Sequence, residues 1–232
     1  ALEEQNIPIN EVFGVSFGSI VGALYANGYS SDYISDFIKK FNFTKILKPA
    51  YSIKGLLNIE KVLSDLHKVL PTNFEDLKIS LSISATDITH GKLKTFNKGM
   101  LVSAIQASCA MPFLFKPVQI KNIDYVDGGL IRNLNLGDLK TNNDFIIGSS
   151  TNYTRGEKST NSVISIMKRT FNILVDQNTI IDKANCDILI EPIQMLKYEA
   201  FEFKSINEII EIGYNSTIKE IDKIQKLKNE YN

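Results

Sequence analysis

The chain has 232 residues, and its 26 Lys plus Arg equal its 26 Asp plus Glu, so it carries no net field to draw nucleic acid or acidic partners. No run of 18 apolar residues, no signal-peptide pattern and no lipidation motif stands in it, which leaves a cytoplasmic address as the expectation. Cys109 and Cys186 are too few for a disulfide framework and read as thiols in a reducing compartment, and no Cys/His spacing or phosphate-binding glycine loop calls for a metal or cofactor.

Ala1 to Asn6 reads as the last turns of a helix with no capping residue ahead of it, so the expectation is that something upstream has been lost. Ile7-Pro8-Ile9 then leads into the apolar run Glu11-Val12-Phe13. That run ends in Gly14-Val15-Ser16-Phe17-Gly18, the form G-x-S-x-G. In a strand–turn–helix setting this is a nucleophile elbow, with the serine at the apex of a sharp turn. Gly14 and Gly18 are expected to keep side chains out of that turn. Ser19 to Asn27 reads as the following helix, stopped by Gly28, with Gly18, Gly22 and Ala26 forming a small-residue face for close approach to a sheet.

Ser30 or Ser31 can cap a second helix, Asp32 to about Phe41. From Phe37 to Lys54 come Lys39, Lys40, Lys45, Lys48 and Lys54, with no carboxylate and with Phe37, Phe41, Phe43 and Tyr51 among them. This is either a cap that meets an anionic lipid surface or a solvated lysine face over core aromatics. After Gly55, Ile59 to Leu70 reads as a helix, with Leu63, Leu66 and Leu70 inward and His67 within it. Ile79 to Thr86 alternates strictly and is the clearest strand. Asp87 ends it as an acid or a turn anchor, and His90-Gly91 turns into a second strand, Lys92 to Phe96.

Met100 to Ala110 reads as a small-residue helix closed by Met111-Pro112. Val118 to Val126 reads as a hairpin about Lys121-Asn122, delivering Asp127-Gly128-Gly129 straight off its strand. Asp144 to Gly148 is a short buried strand, Thr151 to Ser162 a polar loop and Val163 to about Ala184 a helix. Asp187 to Ile190 is a last strand and Ile206 to about Leu227 a closing amphipathic helix. With no repeat, linker or composition break, the pattern argues one α/β domain over residues 1–232, with a largely parallel sheet, burying roughly 70% or more of its unfolded surface.

A serine at an elbow needs a base. A Ser-His-Asp triad of the α/β-hydrolase order needs its histidine after the acid, and none follows His90. A carboxylate is left, and Asp127, held at a strand end beside glycines, is the best placed.

Gly14 to Gly18 together with Asp127-Gly128-Gly129 resembles the patatin-like phospholipase family. Ala107-Ser108-Cys109-Ala110-Met111-Pro112 is similar to its A-S-x-A-x-P segment, and Ala85-Thr86-Asp87 to its A-T-D. Cys186 to Pro192 and Ile212-Gly213-Tyr214 resemble the tail of its short bacterial members. The resemblance implies a three-layer α/β/α domain and hydrolysis of lipid or phospholipid acyl esters by a Ser-Asp dyad. Ser16 would be the nucleophile and Asp127 its base, with peripheral contact to a membrane.

It also implies a strand and a glycine-rich oxyanion loop ahead of Ala1, and no run of that form stands in the sequence. Phe17 occupies a position where a small residue is usual, so its ring either lines or blocks the acyl site. Leu134-Asn135 replaces a Leu-Pro step, a change without chemistry. The expected activity is therefore a serine lipid acyl hydrolase, and the alternative is a catalytically silent module that binds lipid or protein.

Overall fold

The computed structural model describes residues 1–40, 57–137, 145–151, 162–198 and 203–231. The stretch holding Phe41, Phe43, Lys45, Lys48, Tyr51, Lys54 and Gly55, the Asp144 strand start and nearly all of the polar loop after Thr151 lie outside the described residues.

The central strand is β2 (Ser80–Asp87), and both of its edges are taken. Along one edge β3 (Lys92–Phe96) runs antiparallel, from Phe96 opposite Ile83 to Lys92 opposite Asp87. Two strands share the other edge. β1 (Glu11–Val15) runs parallel to β2 and ends with Val15 opposite Ser84. β5 (Ile123–Asp127) comes from the opposite direction and ends with Asp127 opposite Ala85. The two strands therefore stop head to head on neighbouring residues of β2. β4 (Val118–Ile120) pairs with β5 through Lys121 and Asn122, at φ 51° and 62°, the left-handed pair that a two-residue type I′ hairpin requires. β6 (Ile147–Ser149) and β7 (Ile188–Ile190) form a separate parallel pair. The α/β class expected from the sequence is the one observed, with a mixed sheet in which the elbow strand runs parallel to the central one.

Helix α1 (Phe17–Ala26) starts directly after Ser16 and lies on β1 and β2. A Cβ on Gly22 would meet Val12 Cγ1 at 2.9 Å, so Gly22 is where the small-residue face earns its close approach. Gly18 has nothing within 4 Å of its Cβ position and takes no part in that packing, contrary to expectation. Helix α2 (Ser31–Lys40) is capped twice: Ser30 Oγ accepts from Tyr33 N, and Glu3 accepts from the backbone N–H and hydroxyl of Ser31. A carboxylate at a helix N-terminus meets the positive end of its dipole, and those bonds hold the Glu3 carboxyl below its ordinary pKa.

Two predicted helices are shorter than their periodicity suggested. Between Ile59 and Leu70 the α-helix is only α3 (Ile59–Val62), capped by Asn58, after which the chain tightens into a 3₁₀ turn over Ser64–Lys68. Leu63, Leu66 and Leu70 are buried as expected, but spacings of three and four suit either helix type. The closing helix is broken at Glu220 into α6 (Ile206–Lys219) and α7 (Ile221–Tyr231). The break lets Ile224 bury itself against Ile7, Ile188 and Ile190 in a second, smaller hydrophobic cluster beside β6 and β7. Helices α4 (Leu101–Cys109) and α5 (Val163–Ala184) match their sequence bounds closely. The main core combines α1, α2 and α4 with Leu81, Ile83 and Ala85 of β2.

Truncating the fully buried Ile224 to Ala should cost about 2–5 kcal/mol and lower the melting midpoint by several degrees, measured by circular dichroism. Loss of less than about 0.5 kcal/mol would mean that α7 does not hold the second cluster.

Candidate active site

Ser16 sits at φ 52° and ψ −127°, a sparsely populated backbone conformation that costs on the order of 1–3 kcal/mol and needs support from its surroundings. The support comes from the end of α4. Ser16 N donates to Ser108 Oγ at 2.8 Å, and Cys109 Sγ donates to Ser16 O at 3.2 Å. The same carbonyl accepts from Ser19 N and, at 2.6 Å, from Ser19 Oγ. Both peptide groups of the apex residue are thus held by side chains. Gly14 makes the turn possible, since a Cβ there would lie 2.7 Å from Ser19 Cα and 2.8 Å from Gly18 O. Gly18 faces open space beside the serine instead of filling the turn.

Asp127 arrives from the other side. Its backbone N donates to Ala110 O at 3.0 Å, and its carbonyl accepts from Thr86 Oγ1 at 3.0 Å. Asp127 is 2% exposed; its carboxylate accepts from Gly129 N at 2.8 Å and has the Ser16 side chain beside it. The structure therefore brings the two sequence-predicted residues side by side, close enough for the Ser16 side chain to favour the ionised carboxylate. Burial pushes the Asp127 carboxyl up to about 6, against the lowering effects of the Ser16 side chain and the Gly129 N–H. Burial likewise pushes the neighbouring Cys109 thiol up, and the Asp127 charge adds to the effect. The two glycines after Asp127 have steric reasons to be glycine. A Cβ on Gly128 would strike Ser84 O, and one on Gly129 would lie 2.8 Å from Asn133 Oδ1 and 3.1 Å from Asp127 Oδ1.

Asp87 is a turn anchor: it accepts from His90 N at 2.9 Å and faces His90 Nδ1 at 2.9 Å. His67 lies in the 3₁₀ turn Ser64–Lys68, and among the described residues neither histidine bonds Ser16. No group of three metal-ligating side chains occurs among the described residues.

A cavity of about 290 Å³ lies between Pro112, Phe113 and Leu130 on one wall and Met167, Phe171 and Leu174 of α5 on the other. Pro112 and Phe113 follow Ala110, which holds Asp127 N, and Leu130 lies three residues beyond Asp127. Phe113 is itself held at φ 74° and meets Phe171 edge to face, with ring centroids 6.3 Å apart. Phe17 neither lines nor blocks this cavity; it stands 38% exposed at the start of α1.

Several residues around the dyad were not read as functional from sequence. Ser108 and Cys109 belong to the quoted Ala107 to Pro112 segment, so the signal was present without its role. The polar positions of β2 were visible as alternation, but not as buried: Ser84 Oγ accepts from Asn135 Nδ2 at 2.7 Å, and Thr86 carries the Asp127 bond. Asn178 and Asp182 carry no local signal at all.

A family model described as patatin-like phospholipase matches residues 1–140. An uncharacterized NTE family protein of Mycobacterium bovis is 29% identical over 156 residues, covering 66% of this chain and 43% of that protein. The lysophospholipase NTE1 of Lodderomyces elongisporus is 29% identical over 147 residues, 60% of this chain and 10% of that protein. The chain thus spans less than half the length of these relatives. Among solved structures, VipD from Legionella pneumophila superposes with a TM-score of 0.53 at 13% identity, over 96% of this chain and 63% of VipD. That likeness shows the fold, an α/β arrangement with helices on both sides of the sheet.

The two elbow glycines should respond differently to the same substitution. Gly14→Ala should destabilise by about 1–3 kcal/mol, because backbone atoms must move. Gly18→Ala, in an open helical first turn, should stay within about 1 kcal/mol of the parent. Urea denaturation compares them, and equal losses would contradict the packing described.

Proposed function

The chain belongs to the patatin-like phospholipase family, and from that premise we propose that it is a serine lipid acyl hydrolase working through a Ser16–Asp127 dyad. The observation that carries the reading is a serine on a strained apex set beside a buried carboxylate whose ionised form it favours. A base whose pKa lies near the working pH is ionised often enough to act and basic enough to take a proton. Asp127, pushed up to about 6, meets both conditions.

Asp127 takes the Ser16 proton as Oγ attacks the ester carbonyl carbon. The tetrahedral intermediate collapses by breaking the C–O bond to the leaving alcohol, which receives that proton from Asp127. Water, deprotonated in turn by Asp127, attacks the acyl-enzyme and releases the fatty acid with Ser16 protonated again. The developing oxyanion faces the N-terminus of α1, where the helix dipole favours negative charge. The glycine-rich loop that the resemblance implies would add further N–H donors.

The substrate's hydrocarbon is assigned to the cavity between Phe113 and α5, which has room for part of one acyl chain and not for a whole two-chain lipid. Helix α5 also exposes Val163, Ile180 and Ile181, apolar side chains outside the cavity lining that suit a peripheral contact with the lipid surface supplying the substrate. No helix of the described residues is long and apolar enough to cross a membrane.

In the full chain, Ser16→Ala should abolish labelling by a fluorophosphonate probe, and Asp127→Asn should lower ester turnover by about 10³-fold or more. Turnover surviving Asp127→Asn at the parent rate would remove the dyad. Acyl release absent from every lipid tested, with liposome binding unchanged in Ser16→Ala, would favour a silent lipid-binding module.

Because Asp127 must be ionised to accept the proton, kcat/KM should rise with pH through about 6 and fall about tenfold per unit below it. A flat profile between pH 4.5 and 8 would contradict a carboxylate base. Leu174→Trp, which fills the cavity, should shift preference toward shorter acyl chains in a p-nitrophenyl ester series, and an unchanged preference would place the chain elsewhere.

A further inference from the structure

The Asp127 carboxylate depends on one backbone donor, the Gly129 N–H at 2.8 Å, and therefore on where Gly129 is held. Gly129 lies in a single 3₁₀ turn, Gly128–Leu130, which opens an irregular stretch running to Asn135 after β5 ends. No ladder fixes such a segment. Its far end is tied to β2 by the Asn135–Ser84 bond, and its part nearest Gly129 is held by a helix about fifty residues away in sequence.

Asn178 of α5 uses both ends of its amide on this segment. Its Nδ2 donates to Gly129 O at 2.9 Å and to Leu130 O at 3.2 Å, and its Oδ1 accepts from Asn133 N at 3.2 Å. One turn further along, Asp182 accepts two parallel bonds from Arg132, Nε to Oδ2 at 2.7 Å and Nη2 to Oδ1 at 2.6 Å. Arg132 N donates in turn to Gly128 O at 3.0 Å. Residues 178 and 182 are four apart and share one face of α5. The Asp182 side chain is 2% exposed, and a fork-to-fork pair with a guanidinium fixes orientation as well as distance. Neither residue bonds Ser16.

We propose that Asn178 and Asp182 are positioning residues, which hold the Gly128–Asn133 backbone so that the Gly129 N–H stays on the Asp127 carboxylate and the carboxylate stays on Ser16. The inference rests on Asp127 being the base. Asn178 acts on Gly129 and its neighbours directly, whereas Asp182 acts through Arg132 and Gly128. Misplacing a catalytic group by an ångström is enough to cost on the order of 10²-fold in rate, so a latch this far from the chemistry can still govern it.

The groups facing the carboxylate give the latch a signature of its own. Among the described residues these are the Ser16 hydroxyl from the β1–α1 turn, the Cys109 thiol from α4 and the Gly129 N–H. Arg132, the nearest cation along the chain, is turned to Asp182. Releasing Gly129 removes the backbone bond that favours the ionised carboxylate, and burial then pushes its pKa further up.

The test uses the full chain with p-nitrophenyl butyrate. Asn178→Ala and Asp182→Asn should each lower kcat by about 10–100-fold with KM changed less than about twofold, and move the acid limb of kcat/KM upward. Asn178→Asp, the same shape with an oxygen facing Gly129 O, should do the same even if Asn178→Ala folds poorly. Adding Asn178→Ala to Asp127→Asn should cost little more than Asp127→Asn alone, because both act on one group. Folded variants with lowered melting midpoints but parent kcat and an unmoved acid limb would overturn the proposal, leaving these contacts a purely structural role. If Asp127→Asn itself kept parent turnover, the base reading would fail separately from the latch.

Discussion

One edge of β2 is occupied by two strands, and everything at the site follows from where they stop. β1 rises along the edge to Ser84 and β5 descends along it to Ala85, so their next residues must turn away within a few ångströms of each other. A hydroxyl from one and a carboxylate from the other then meet without any long side chain having to reach. The turn after β1 has to be sharp, because β5 lies directly ahead of it. That requirement explains both the positive φ at Ser16 and the bare Cα at Gly14.

The same congestion sets the electrostatics. A carboxylate at the meeting point of two strands, under α4 and the post-β5 segment, is shielded from water on every side, and its ionised form is disfavoured. Among the described residues no cation is spent on it: Arg132, five residues on, is bonded to Asp182 instead. A direct ion pair would hold the carboxyl ionised far below neutrality and make it a poor base. Two neutral donors, Ser16 and Gly129, leave it only partly stabilised. Ser108 and Cys109, consecutive on α4, meanwhile offset the backbone strain at the apex, so the strained residue and the desolvated one share the same supporting helix end.

Particular residues show what could be read in advance. Ser16, Asp127 and the hairpin about Lys121-Asn122 were legible because each is a local pattern: an elbow, a strand-ending acid and a two-residue turn. β2 was legible as a strand through its alternation, yet period two does not say whether the polar face is wet. Here Ser82, Ser84 and Thr86 are as buried as Leu81 and Ile83; Ser84 meets Asn135 of the post-β5 segment and Thr86 bonds the Asp127 carbonyl. Leu63, Leu66 and Leu70 were correctly inward in the wrong kind of helix, since burial periodicity fixes a face and not a hydrogen-bond register. Gly18 was assigned steric work that only the neighbouring Gly14 does, because the motif's spacing does not say which of its flanks the turn compresses. Asn178 and Asp182 had no signal, being polar residues on an amphipathic helix whose partners lie in another part of the chain.

Helix α5 connects the two halves of the site. Met167, Phe171 and Leu174 wall the cavity assigned to hydrocarbon, and Asn178 follows Leu174 by a single turn, about 6 Å along a rigid rod. A helix held only by its apolar half, resting on Phe113 and Leu130, could slide or roll without losing much contact. The fork-to-fork bond at Asp182 and the three-way amide at Asn178 are directional and forbid such motion. They therefore fix the cavity wall and the segment after Asp127 in a single frame. On the proposed reading, a bound acyl chain would be positioned relative to Ser16 by polar contacts that touch neither of them.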